Sequence, residues 1–222
     1  MARSWPRSSA HETGGDVVTK SWPSRRSESA VRKGDLRQRL ILDVAEDLLA
    51  TRGYAETTVA DIAEAAGITR PALYFYFASK QEVLIALVAR TVQALQEKSG
   101  AALTATAPVG DIIATALERT VQLWREHGPV MRAATDLGSA IPEINEMWTE
   151  TADVFAGAIT ETLIRSGVQA GDGPAEATAL GRAVCWMIER SFYQASRISP
   201  EDLDNAKQTC EAVWLQLANK RG

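Results

Sequence analysis

The sequence contains few of the side chains that bind metals or act as nucleophiles. Its 222 residues include only two cysteines, Cys185 and Cys210, and two histidines, His11 and His127, all widely separated. A zinc site, a disulfide framework and a Cys/His nucleophile each need such residues in larger number or in the right combination. We therefore expect no metal site, no catalytic residues and no cofactor, and the sequence disfavours an enzyme.

Long hydrophobic runs and phosphate-binding loops are also missing. The longest apolar run, 83–89, has seven residues, whereas a membrane-spanning helix needs about 20. No apolar stretch of about 7 to 15 residues follows the charged N-terminus, as a secretory signal would require. Neither GxGxxG nor GxxxxGK[ST] occurs, so dinucleotide and P-loop binding lack their loops. These absences predict a cytoplasmic chain without a membrane partner.

Charge is unevenly distributed along the chain. The net charge is −4, but residues 1–34 carry +4, 35–80 carry −2 and 81–222 carry −6. Residues 1–34 are rich in Ser, Arg, Gly and Pro and show no helical or strand period, which predicts a disordered basic arm. A basic end on an acidic body suggests a polyanionic partner at that end. The arm is either a loose tail or a nucleic-acid contact, and the sequence leaves both open.

From Asp35 onward, apolar residues recur at the spacing of a helix face, and alternating strand patterns are absent. The sequence therefore predicts an all-α protein of about nine helices, with an arm at 1–34, a DNA-binding domain at 35–80 and a ligand-binding and dimerisation domain at 81–222. The first four helices are predicted to begin near Asp35, Thr58, Thr69 and Ser79, and the others to span 109–127, 130–138, 142–166, 174–197 and 200–219.

The stretch from Thr58 to Lys80 has the pattern of a helix-turn-helix. Thr58 and Asp61 have the spacing of a capping box for a short helix, which stops at Gly67. Ala63 allows the two helices to approach, and Gly67 can adopt the left-handed conformation found in such turns. In such a unit the second helix enters the major groove with its N-terminal residues at the base edges.

The helix after the turn separates an apolar anchor from polar contacts. Leu73 and Phe77, four residues apart, can anchor one face. The candidates for contacts to bases or phosphates are its first-turn residues and its tyrosines: Thr69, Arg70, Pro71, Ala72, Tyr74 and Tyr76.

Residues 41–88 contain four short motifs in succession: Asp61-Ile62-Ala63, Ala66-Gly67-Ile68-Thr69, Leu73-Tyr74-Phe75-Tyr76-Phe77 and Ser79-Lys80. This run resembles the N-terminal DNA-binding region of tetracycline-repressor-type (TetR family) regulators. The resemblance implies an operator-binding role. The residues that it implies as DNA contacts are Thr58, Thr69, Arg70, Tyr74, Tyr76 and Lys80.

The C-terminal part resembles the ethionamide-resistance (EthR-like) repressors of that family more weakly, through Glu146-Met147-Trp148, 187–192 and Trp214. This resemblance implies a small apolar effector in a tunnel flanked by aromatic residues and amides. Cys185 and Ile188 stand where it places the amides, which puts amide-directed orientation of a ligand in doubt. The candidate lining residues are Trp124, Trp148, Phe155, Cys185, Trp186, Ile188 and Trp214, and for the tryptophans core packing is the alternative.

Two further expectations concern the last helices. Glu189 and Arg190 interrupt an apolar helix, and we expect a structural ion pair there rather than a ligand contact. Small or apolar residues recur on the last two helices, which can therefore pack against a second copy. These residues are Ala175, Ala179, Ala183, Ala206, Ala212, Val213 and Leu217. The family resemblance also implies a homodimer through this helix pair.

Together these patterns predict a dimeric repressor that binds double-stranded operator DNA and is released by a small apolar molecule. A DNA-binding regulator without a small ligand, and an activator, remain alternatives. A helical enzyme or ligand carrier that merely contains a helix-turn-helix-like corner is a remote one. It would show no sequence-dependent retention of DNA.

Overall fold

The chain folds into eight α-helices in the part that the computed structural model describes, residues 25–103 and 107–219, and no strand occurs in those residues. The all-α prediction is confirmed. The helices are α1 (Arg25–Glu56), α2 (Val59–Ala65), α3 (Arg70–Tyr76), α4 (Lys80–Leu103), α5 (Val109–Leu137), α6 (Pro142–Arg165), α7 (Ala177–Ala195) and α8 (Pro200–Ala218).

The first helix starts ten residues before the predicted position. It begins at Arg25, inside the segment predicted as a disordered arm, while residues 1–24 of that arm lie outside the described part. Arg, Glu, Ala and Lys, which favour helices, make up most of residues 25–33, so the composition of this segment favours a helix. The helix bends at Gly53, whose φ of 79° and ψ of 167° are not helical.

Helix α5 accounts for the difference between the nine predicted helices and the eight observed. The predicted helices 109–127 and 130–138 form one element with a kink at His127, where φ is −123° and ψ is 16°. Pro129 lies in the first turn after the kink, where its missing N–H leaves no helical hydrogen bond unmade. The predicted break is therefore present as a change of direction rather than an end.

Helix α7 packs closely against α6. A β-carbon at Gly181 would lie 2.2 Å from Thr160 Oγ1 and 2.9 Å from the Ala156 carbonyl oxygen, so only glycine fits at this approach. The helix begins at Ala177 rather than near 174, because Glu176 folds back and accepts a hydrogen bond of 2.8 Å from the Gly173 backbone N–H.

Two buried clusters lie within the compact unit Gln38–Gly222. The first unites α1–α3 with the start of α4 and includes parts of α5 and α6. The second lies among α5, α6, α7 and α8. Trp148 packs against both clusters, and α4 contributes Val83 and Leu87 to the first and Leu95 to the second. Helix α4 and Trp148 therefore connect the helix-turn-helix with the C-terminal helices.

In the described residues, no single helix has both the length and the apolar composition to cross a membrane. One pair of consecutive helical segments, Arg70–Tyr76 and Lys80–Glu97, is long and apolar enough only when the two are counted together, and they meet at an angle of 49°. Leu73, Val83 and Leu87 of that pair are buried in the first cluster, which accounts for its apolar composition.

Candidate functional site

The turn between α2 and α3 is fixed by local hydrogen bonds. Thr58 Oγ1 accepts from the Asp61 backbone N–H at 3.2 Å, and the Asp61 carboxylate accepts from the Thr58 backbone N–H at 2.8 Å, which is the predicted capping box. Gly67 has a φ of +61°, as the turn requires. The Ile68 backbone N–H then donates to the Ala63 carbonyl at 2.9 Å and closes the turn.

Helix α3 is held by its apolar anchor and exposes its first turn. Thr69 caps it by accepting a 3.3 Å hydrogen bond from the Ala72 backbone N–H. Leu73 is 0% exposed and Phe77 is 4% exposed, as the predicted anchor requires. Among the predicted DNA contacts in and before this helix, Thr58, Thr69, Arg70, Pro71 and Tyr74 are exposed, and Ala72 and Tyr76 are half-buried.

Phe75 is a surface residue that the sequence analysis did not single out. It is 83% exposed and lies against Tyr76, with the ring centroids 5.3 Å apart and the rings nearly perpendicular. A sequence signal existed, because Phe75 lies midway between Leu73 and Phe77 and is therefore on the opposite face of the helix. The exposed face of α3 thus presents two adjacent aromatic rings, Tyr74 and Phe75.

Two of the predicted DNA contacts already have partners within the chain. Lys80 Nζ donates to the Tyr54 carbonyl at 2.9 Å and to the Ala55 carbonyl at 3.4 Å, and it lies 4.3 Å from the centroid of the Tyr54 ring. It therefore satisfies carbonyls at the end of α1, where a cation is favourable. The Thr58 hydroxyl donates to the Asp61 carboxylate at 2.6 Å, so a phosphate would have to compete for its proton.

A group of charged residues joins α1 to α4 and to the kink of α5. Glu46 accepts a 2.6 Å hydrogen bond from Arg90 and lies 2.7 Å from His127 Nδ1, while Arg90 also donates to Asp43 at 2.6 Å. Burial by itself raises the pKa of Glu46, but hydrogen bonds and charges of His127 and Arg90 outweigh it, so the pKa lies below its ordinary value. Sequence patterns gave no signal for this pairing.

A cavity of about 120 Å³ lies among α4–α8, and its wall is almost entirely apolar. Helix α4 contributes Leu95, and α5 contributes residues on both sides of the kink, including Leu123 and Met131. Six of the seven predicted lining residues lie on its wall, namely Trp124, Trp148, Phe155, Cys185, Ile188 and Trp214.

Trp186 does not line the cavity. Its side chain is 40% exposed on the outer face of α7, together with Ala183 on the same helix. Val213 of α8 is 38% exposed and lies with Ala212 in a shallow surface groove. The last two helices therefore leave an apolar surface uncovered in this chain.

Glu189 is the one carboxylate on the cavity wall, a position that the sequence analysis interpreted as structural. Its Oε1 lies 3.1 Å from Thr135 Oγ1, and the Trp148 side chain also donates to the carboxylate. Burial raises the pKa of Glu189 and outweighs these hydrogen bonds and the charge of Arg190. The expected ion pair with Arg190 is absent from the ion pairs of the described residues; the guanidinium lies 4.7 Å from the centroid of the Tyr193 ring.

The other polar side chains on the wall include one unpaired donor and several groups whose protons are used. Thr120 and Thr151 donate to main-chain carbonyls of their own helices, at 2.9 and 2.7 Å. Cys185 Sγ donates to the Ala152 carbonyl at 3.4 Å, and burial raises its pKa to about 11, which keeps it a thiol. Trp214 is 1% exposed, and its indole N–H has no hydrogen-bond partner among the described residues.

Within the described residues, no group of three or more His, Cys, Asp or Glu side chains could hold a metal ion. The candidate functional regions in the described residues are the exposed face of α3 and the cavity among α4–α8, with α4 and the Glu46 contacts between them.

Comparisons with known proteins agree with this geometry. Residues 41–87 match the family model of bacterial regulatory proteins, tetR family. The HTH-type transcriptional regulator EthR of Mycolicibacterium smegmatis is 32% identical over 196 residues, covering 86% of this chain and 90% of the relative.

Two solved structures show the same fold. One is a protein from Saccharomonospora viridis in complex with choline, with a TM-score of 0.65 and 22% identity over 79% of this chain and 93% of that one. The other is Thermus thermophilus FadR, a transcriptional repressor in complex with lauroyl-CoA, with a TM-score of 0.58 and 19% identity over 83% of this chain and 95% of that one.

Proposed function

This chain belongs to the tetR family of bacterial regulatory proteins, whose members are DNA-binding transcriptional regulators. From that premise we propose that it is a ligand-responsive repressor, which binds a palindromic operator as a homodimer and leaves it when a small apolar effector occupies the cavity. The observation that carries this proposal is the pairing of an exposed, rigidly anchored α3 with an apolar cavity that α4 connects to it.

The proposed DNA contact is the exposed face of α3. Arg70 can donate two parallel hydrogen bonds to a guanine edge in the major groove, which is the commonest specific contact between a side chain and a base. Thr69 and Tyr74 can donate to phosphates, which fix the orientation of the helix but carry no sequence information. The buried Leu73 and Phe77 support this role, because they keep α3 in place on its own core.

A homodimer supplies the second half of the proposed operator contact. One seven-residue helix offers few base contacts, whereas two helices related by a two-fold axis can contact half-sites about 34–36 Å apart or at multiples of that spacing. The exposed Trp186, Ala183 and Val213 on the last two helices support an interface there, since aromatic anchors dominate such contacts. The dimer would act on chromosomal DNA in the cytoplasm.

The proposed release is a shift between two conformations. An effector in the cavity would contact Leu95 on α4 and Trp124 near the kink of α5. Both helices also contact α1, through the bonds of Arg90 and His127 to Glu46, so their displacement would move the helix-turn-helix. Affinity for the operator falls if effector and DNA favour different states.

The test is to select bound fragments from random duplex DNA with the purified protein at near-physiological salt, and to sequence them. We expect an enriched motif with two-fold symmetry and a half-site spacing near one helical turn or a multiple of it. An asymmetric motif would contradict the dimer, and the absence of any enriched motif with a folded protein would contradict operator binding.

A further inference from the structure

The cavity wall offers a ligand many apolar contacts, one carboxylate and few hydrogen-bond donors. The hydroxyls of Thr120 and Thr151 and the thiol of Cys185 already give their protons to main-chain carbonyls. These three groups can therefore only accept hydrogen bonds from a ligand. The remaining polar side-chain groups on the wall are the carboxylate of Glu189 and the indole N–H groups of Trp124, Trp148 and Trp214. The Trp148 side chain donates to Glu189, and the Trp214 N–H has no partner among the described residues.

Among the ion pairs of the described residues none includes Glu189, and the charge of Arg190 acts on it without such a contact. Its partners are the Thr135 hydroxyl, at 3.1 Å, and the Trp148 side chain, and both are uncharged donors. The Thr135 hydroxyl is shared, because its oxygen is also 3.1 Å from the Met131 carbonyl. Arg190, the neighbouring cation, lies over the Tyr193 ring instead. A half-buried carboxylate with so few partners favours a cation beside it.

The aromatic residues of the wall favour the same charge. Trp124, Trp148, Phe155 and Trp214 all line the cavity, and the faces of such rings attract ammonium groups. The effect is strongest with tryptophan and in sites that exclude water. An anionic head group would meet the opposite conditions, since it would lie near the Glu189 carboxylate and beside electron-rich rings.

On the basis of the proposed function, we propose that the effector is a lipophilic amine. Its apolar body fills the aromatic part of the cavity, and its ammonium group donates hydrogen bonds to the Glu189 carboxylate. The unpaired N–H of Trp214 is a second polar contact, which suits a hydrogen-bond acceptor elsewhere in the effector. Fatty acids and other anionic amphiphiles are excluded by the same arrangement.

The test uses three compounds with one apolar body and different head groups: 4-phenylbutylamine, 4-phenylbutan-1-ol and 4-phenylbutanoate. Their dissociation constants for the full chain are measured by calorimetry at neutral pH. We expect the amine to bind at least about tenfold more tightly than the alcohol, and the carboxylate to bind most weakly, because hydrogen bonds to charged groups exceed neutral ones in this range. This comparison requires no variant.

Substitutions then locate the contact. Glu189→Gln should weaken binding of the amine by about 10- to 100-fold, the range expected for a charged hydrogen bond, and should change binding of the alcohol little. The matched control is Glu161→Gln, which alters an exposed carboxylate of α6 outside the cavity wall and should bind the amine like the unaltered protein.

Three results would overturn the inference. They are equal or tighter binding of the alcohol or the carboxylate, an amine preference that survives in Glu189→Gln, and binding of none of the three compounds at millimolar concentration. The proposed function fails on a different observation, the lack of any enriched motif in the DNA selection. A protein that selects an operator but prefers 4-phenylbutanoate therefore keeps its regulatory role and loses only the amine.

Discussion

The contact between Glu46 and His127 should be one of the strongest polar contributions to the stability of this chain. The Glu46 side chain is 17% exposed, His127 22% and Arg90 30%, so solvent screens the group only in part. In Glu46→Ala two short hydrogen bonds to charged or polar partners are lost, at 2.6 and 2.7 Å. With about 1.5–3 kcal/mol for a hydrogen bond to a charged group and incomplete additivity, we expect a loss of about 2–3 kcal/mol.

Thermal unfolding followed by circular dichroism measures this loss. For a chain of this size it corresponds to a decrease in Tm of roughly 5–10 °C. Asp43→Ala is the matched control, because Asp43 bonds to the same Arg90 at the same 2.6 Å but is 64% exposed. Exposed ion pairs contribute about 0–1 kcal/mol, so the control should lose much less.

The pH dependence gives a second check with a definite sign. Because the pKa of Glu46 is lowered in the folded state, its stabilisation is fully present above the ordinary value of 4.5 and is lost as pH falls through the lowered pKa. The difference between the unaltered protein and Glu46→Ala should therefore shrink below about pH 4. Equal losses in Glu46→Ala and Asp43→Ala, or a difference that stays constant into acid, would refute the reasoning.

Three further substitutions test the surface residues. In competition binding to altered operators, Arg70→Ala should reduce the free-energy difference between the preferred base and the other bases at one position by about 1–3 kcal/mol. Equal weakening of binding to operator and to random DNA would contradict the contact of Arg70 with a base. Lys80→Ala should weaken binding to all DNA and lower by about one the slope of the logarithm of the binding constant against the logarithm of salt concentration. It should also lower the free energy of unfolding measured in urea by about 1–2 kcal/mol, because the carbonyls of α1 lose their donor. An unchanged free energy of unfolding would contradict that contact. Trp186→Ala should weaken dimerisation in sedimentation by about 2 kcal/mol or more, and an unchanged dimer would exclude Trp186 as an anchor.

Features that depend on neighbours within four residues were accessible from the sequence. The capping box of Thr58 and Asp61, the positive φ of Gly67 and the burial of Leu73 and Phe77 all follow from residues close in the chain. Spacing alone specifies such contacts, because a helix end or a helix face fixes their geometry. This explains why the helix-turn-helix was predicted almost residue by residue.

Contacts between distant residues were not accessible in this way. Glu46 and His127 are 81 positions apart, and nothing in either segment indicates the other. The same holds for Lys80, since nothing in the sequence indicates that α1 places the Tyr54 carbonyl 2.9 Å from its Nζ. A long cationic side chain accepts whichever carbonyls the tertiary fold places within reach.

Helical spacing along α7 indicates which of its residues can line the cavity together. Residues three and four positions apart share a face, so Cys185 and Ile188 on the wall imply that Glu189 lies there too, four residues after Cys185. Trp186 lies about 100° around the helix from Cys185 and about 160° from Ile188, at the edge of this face, and in the structure it is 40% exposed and does not line the cavity. Aromatic character alone, in contrast, includes Trp186 among the predicted lining residues and omits Glu189. The structure instead places the charged residue on the cavity wall and the tryptophan outside it, and these two positions are the basis of the proposed amine contact and of the proposed Trp186 anchor.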